Sequence, residues 1–192
     1  HRATDQTTWS WASDAVGRNP ALQLLWYLLG WRIQNPVTSQ WKLAVGLGLP
    51  VARIDLASFI TAANICDEPV TLAAGGTEPR YRSDGVFSEG DDPSLVFDNL
   101  CASMNGVLRD NGGQLSLEIL HNDLGTPVVD FTEADVIDGF TWLQTPPIDQ
   151  NFNIVRGQYI DASNTGLYQP VDYPDVVLTS PDGIDRAKTF NF

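Results

Sequence analysis

The spacing of hydrophobic and polar positions changes near residue 80, and the two textures predict different structure. Residues Pro20 to Leu29 are apolar on almost every side, with only Gln23 polar, which predicts a helix buried on several faces. Asn19 supplies a helix cap, Pro20 suits the first helical position, and Gly30 is the stop. A second helix is predicted after the cap Asp55, with Leu56, Phe59, Ile60 and Ala63 as its apolar stripe and an end near Glu68-Pro69. Between the two, Trp31 to Pro50 reads as loop, closing in "GLGLP". A lone Gly-x-Gly with no strand before it is read as a turn and not as a phosphate cradle. Residues 1–18 are mostly polar, with two tryptophans, Trp9 and Trp11, and read as an extended arm laid over a core.

After Gly75-Gly76 the texture becomes that of strands, starting with "RYRSDGVFS" (Arg80 to Ser88). Asp92-Pro93 opens one embedded helix, with Phe97, Leu100, Cys101 and Met104 as its apolar side and Gly106 as its end. "VLRDNGGQLSLEI" reads as a hairpin in which Asn111-Gly112 supplies the positive φ angles of a tight turn, and Leu115, Leu117 and Ile119 alternate with Ser116 and Glu118. "TPVVDFTEADVIDGFTWLQTP" predicts a short strand, a capped turn at Thr132 and a strand through Trp142. "NFNIVRGQYID" predicts another, with Val155, Gly157 and Tyr159 on one face. The fold class is therefore α+β. Residues 1–192 read as one module: arm 1–18, mainly helical part 19–75 with two helices, and β-rich part 76–192.

Charge narrows the function. The formal net charge is −13, with 11 Lys+Arg, and nucleic-acid affinity comes mainly from basic side chains that displace counterions. Binding to DNA or to an anionic membrane is not expected. The longest largely apolar run, Ala21 to Leu29, is under half of the roughly 20 residues a membrane helix needs. With no initiator Met and no signal-like start, the chain reads as a fragment of a larger protein. Cys66 and Cys101 are too few for a disulfide scaffold and are far from C-x-x-C spacing, so they read as buried thiols. His1 and His121 are isolated. Glu89, Asp91 and Asp92 could do acid–base work or hold Ca²⁺, but their place before Pro93 reads as capping of a helix start. Glu118, Glu133 and Asp135 have no spacing that compels a carboxylate pair across a cleft, as a glycosidase would need. No catalytic, cofactor or metal residue is assigned, and the chain is expected not to be an enzyme.

Several strings carry a resemblance. "NPALQLLWYLL", "GLGLP", "IDLASFITAANICDE", "YRSDGVFSEGDDPSLVFDNLCASMNGVLRDNGGQLSL" and "NIVRGQYIDASNTGLYQPVDYP" follow the order of the central region of phage tail-tip hub proteins. Taken together, from about Trp9 to Pro174, they resemble the tip attachment protein J family of lambda-like siphophages and the hub proteins of gene transfer agents. The resemblance implies a β-rich, barrel-like hub part, a homotrimer that closes the tail tube, contacts with other tail-tip and tail-tube proteins, passage of DNA without specific binding, and a place in the virion. One departure from the family's pattern is "WRIQNPVTSQWKLAV", longer here than the usual link. The alternatives are a carbohydrate- or receptor-binding module of the tail tip, and a glycosidase-type enzyme.

The stretch "NTGLYQPVDYPDV" (Asn164 to Val176) carries no nucleophile or ligand spacing. Pro170 and Pro174 fix φ and remove donors, so it is expected to run extended, unfit for a central strand, with Tyr168 and Tyr173 free to pack on a neighbour. An exit loop to a following domain is the alternative.

Overall fold

Helix α1 (Pro20–Leu29) begins where Asn19 leaves the β region and its Oδ1 accepts from the backbone N–H groups of Ala21 and Leu22, at 3.1 and 3.3 Å. That satisfies two of the donors every helix start leaves open. The computed structural model of the chain describes residues 4–9, 17–72, 75–88, 90–121, 126–127, 129–137, 139, 147, 150–161, 168–180 and 182–191. Its fold is mixed α+β and divides into two units, His1–Gly125 and Thr126–Phe192.

In the first unit, α1 packs against helices α2 (Leu56–Asp67) and α3 (Pro93–Ser103). Strands β5 (Gly106–Asn111) and β6 (Gln114–Ile119) form an antiparallel hairpin against α2 and α3. The core joins Leu24, Leu28 and Leu29 of α1 to Phe59, Ala62, Ala63 and Cys66 of α2, with Met104, Leu117 and Ile119. The buried stripe of α2 is thus 59, 62, 63, 66, and Ile60, expected inside, is 61% exposed. Neighbouring residues lie about 100° apart on a helix, and the small Ala62 and Ala63 face the core instead. Asn19, the one buried polar residue among those described, also donates from Nδ2 to the Ala63 carbonyl at 3.0 Å, tying the start of α1 to α2.

The caps at Asp55 and Asp92 form as expected, accepting from Ala57 N at 3.1 Å and Ser94 N at 2.9 Å. Helix α3 ends one residue before Met104, with Asn105 at φ 49°, while Gly106, the expected stop, begins β5. Asn105 is of a residue type that tolerates the left-handed conformation, and its amide donates to the Leu120 carbonyl beyond the end of β6 at 2.5 Å. In the β5–β6 turn the positive φ angles belong to Gly112 (64°) and Gly113 (91°), and Asn111 is the last strand residue, paired with Gln114. This is the two-residue, doubly left-handed loop that matches strand twist.

Three expectations change in this unit. Residues 31–45 are not loop but a hairpin, β1 (Trp31–Gln34) with β2 (Trp41–Val45); the Asn35 side chain organises its turn by accepting from Val37 N and Thr38 N at 2.8 and 3.1 Å. Arg80–Ser88 is not a strand. The short pair β3 (Pro69–Thr71) and β4 (Thr77–Pro79) precedes it, and its own backbone donors go to Glu68 O, Cys66 O and Arg18 O, because no strand lies alongside. The N-terminal arm is not uniformly extended: Gln6–Thr8 is a 3₁₀ turn, and Trp9 stacks at a tilt on Trp31 with centroids 6.0 Å apart. Trp11 lies outside the described residues.

In the second unit β7 (Ile154–Arg156) is the middle of a three-stranded sheet, with β10 (Val176–Val177) antiparallel and β11 (Ala187–Thr189) parallel to it. β8 (Gln158–Asp161) pairs with β9 (Gln169–Asp172) in a separate ribbon. The expected continuous strand across Val155, Gly157 and Tyr159 is therefore broken at Gly157. A Cβ there would overlap the Phe190 carbonyl and lie 2.9 Å from the Tyr173 hydroxyl, so the chain turns from one sheet to the other where only glycine fits. Thr132 does cap a turn, the 3₁₀ segment Glu133–Asp135, but no strand forms at Val129–Phe131. The strand expected through Trp142 lies outside the described residues. The strands of the two units form one three-stranded and four two-stranded sheets, and among the described residues no closed barrel.

Candidate interaction surface

The β1–β2 hairpin is held rigidly at its base and left bare along its length. The carbonyls that end α1 are taken up by the strand exit: Leu47 N donates to Tyr27 O at 2.9 Å and Leu49 N to Leu28 O at 2.8 Å. Arg32 donates to Leu29 O at 3.2 Å and to Gly48 O at 3.3 Å, a cation at the negative end of a helix dipole. A Cβ on Gly46 would lie 2.5 Å from Tyr27 O and 2.8 Å from the Cα of Gly30, so the backbones approach as closely as glycine permits. Along the outer edge of β1, the Gln6 side-chain amide accepts from Arg32 N at 2.8 Å and donates to Arg32 O, replacing a neighbouring strand. Among the described residues, β2 has no strand beyond it. Beyond this base, Ile33, Val37 and Trp41 are 59%, 89% and 51% exposed. The segment from Trp31 to Val45 holds two bases, Arg32 and Lys42, and no acid in a chain of net charge −13.

The candidate carboxylates are structural in their geometry. Asp91 accepts from Ser88 N at 2.6 Å, and Asp92 caps α3. Glu118 meets Arg109 at 3.1 Å diagonally across β5–β6, an exposed pair of small net value. Asp135 closes a capping box with Thr132, whose N–H and hydroxyl both reach its Oδ2 at 2.8 Å; the backbone N–H above all, then the hydroxyl, holds that carboxyl below its ordinary range. Glu89 and His1 lie outside the described residues. His121 sits at the end of β6 with Nδ1 3.2 Å from Ile119 O. Cys66 is buried and unpaired, and burial pushes its thiol up to about 11; Cys101 is half-buried and raised for the same reason.

The C-terminal segment is more engaged than its sequence implies. Gln169–Asp172 is a strand, paired with β8 so that Ile160 faces Pro170; a two-stranded ribbon has only edges, and there a proline is tolerated. Tyr168 stands half exposed at φ 48°. Tyr173 is not free for a neighbour: its hydroxyl donates to Phe190 O at 3.0 Å, and its N–H donates to Gly157 O at 3.2 Å. Beside it lies an open cleft of about 380 Å³. Its polar side chains are largely spent on one another, Arg156 on Asp175 at 2.8 Å and Gln158 on Asp172 at 2.9 Å.

The arrangement thus offers contact area more than chemistry, and the hairpin in the first unit and Val176, Val177 and Leu178 in the second each present some of it. Sequence reasoning missed the hairpin because "NPVTS" lacks the usual two-residue turn. The alternation of Trp41, Leu43 and Val45, within an acid-free stretch of an acidic chain, was the available clue.

No family model matches the chain. Over 87 residues, 45% of this chain, it is 33% identical to the tip attachment protein J of Escherichia phage SECphi27. The match spans 7% of that protein's length. Among the described residues no helix is long and apolar enough to cross a membrane. Over nearly half its length, the chain is similar to a phage tail-tip protein.

Proposed function

We propose that this chain is a structural, non-catalytic part of the tail tip of a phage or phage-like particle, assembled as a homotrimeric hub that closes the tail tube and joins it to host-recognition parts. The observation that carries this reading is the 33% identity with a tip attachment protein. The engagement of Asp91, Asp92 and Asp135 in local caps and a rigid apolar hairpin standing clear of its own core agree with an assembly role. The net charge of −13 suits a tube through which DNA slides, since each basic contact with a phosphate would add affinity and drag. The decisive experiment removes the coding segment from the particle's genome and images the product. Particles lacking closed tail tips, together with detection of the chain at the tip by labelled antibody, are expected. Normal, infectious particles without the chain would refute the reading.

A further inference from the structure

Two copies of a chain carrying 24 acidic against 11 basic residues repel over most of their surfaces, and close approach is favourable only where charge is locally reversed. The β1–β2 hairpin is such a place. Lys42 is exposed at its edge and forms no ion pair among the described residues, whereas Arg18, Arg80, Arg109, Arg156 and Arg186 are each matched to a carboxylate of the same chain. Ile33 lies directly opposite Lys42 in the hairpin and shares its face, where it adds exposed aliphatic area beside the charge. The complementary surface is the outward face of α3. There Leu95 is 54% exposed, Asp98 follows one turn later on the same face, and Asp91 and Asp92 stand exposed just before the helix.

We infer that the hairpin of one copy docks on the α3 face of a second copy, with Ile33 against Leu95 and Lys42 against Asp98. The contact joins two different patches. It is therefore heterologous, and it gives the closed ring of the homotrimer when its rotation is one third of a turn. A base held by Gln6, Arg32 and the close approach at Gly46 leaves little of the hairpin to be ordered on contact, which favours affinity. The inference rests on the homo-oligomeric reading above and adds the surfaces that meet.

Sedimentation of the 192-residue chain over a concentration series, at low and high salt, tests it. The wild type is expected to associate, less so as salt rises. Ile33→Asp should weaken association about 30-fold or more, and Lys42→Glu and Asp98→Lys about tenfold each. The double variant Lys42→Glu/Asp98→Lys should regain most of the affinity. All three positions are exposed, so thermal melts should stay unchanged, and they identify any variant that fails to fold. Salt dependence of the wild type needs no variant. An oligomer insensitive to Ile33, Lys42 and salt would overturn the inference while leaving the tail-tip reading intact, and so would single variants that weaken association with no recovery in the double one. A chain monomeric at every concentration would overturn this interface, whereas the tail-tip reading falls to normal, infectious particles made without the chain.

Discussion

Replacing Asn19 tests how the first unit is held together, because one buried side chain there does two jobs. Its Oδ1 takes the N–H groups of Ala21 and Leu22, and its Nδ2 reaches across to the Ala63 carbonyl of α2. Asn19→Ala removes the cap and leaves its N–H groups without a partner, a loss of about 1–2 kcal/mol, and it removes the bond to α2, about 1 kcal/mol more. The Ala63 carbonyl is less affected, since a helical carbonyl also accepts from four residues on. The sum is about 2–3 kcal/mol. Asn19→Ser keeps an acceptor for the helix start and loses only the bond to α2, so it should cost about 1 kcal/mol. Urea unfolding followed by the helical circular dichroism signal of the full chain measures both. If Asn19→Ala costs less than about 0.5 kcal/mol, or Ser is as harmful as Ala, the cap and the tether are not what join α1 to α2.

Three further outcomes are expected. Leu28→Ala, at a fully buried position of α1, should cost about 2–5 kcal/mol, Leu25→Ala less because Leu25 is only partly buried, and Ile60→Ala under about 0.5 kcal/mol; urea midpoints rank the three. Gly157→Ala should disorder the second unit, since the added Cβ meets the Phe190 carbonyl, and faster limited proteolysis within residues 126–192, with 1–125 still protected, is the readout. The Cys66 thiol, raised to about 11 by burial, holds its proton more tightly folded than unfolded. Its contribution is then full below the unfolded value near pH 9 and is lost as pH rises towards 11. The fall in urea midpoint over that window should lessen in Cys66→Ala, and a thiol reagent should modify Cys66 only on unfolding.

Local chemistry was legible in the sequence wherever neighbours along the chain decide the structure. The Asn19-Pro20 start, the Gly30 stop, the caps at Asp55, Asp92 and Thr132, and the β5–β6 hairpin each depend on a side chain meeting backbone within a few residues. What only the tertiary structure decided is which of several equivalent local choices meets a partner. Phe59 and Ile60 are both apolar, and only the approach of α1 turns one inward. Arg80–Ser88 has the composition of a strand and lacks a strand beside it, so it lies along the end of α2. "NIVRGQYI" could run straight, and Phe190, distant in sequence, makes Gly157 its corner. The 31–45 hairpin likewise needs Gln6 and the end of α1 to hold it. A strand is stabilised by what lies beside it, and hydrogen bonds between distant segments leave little trace in the order of residues.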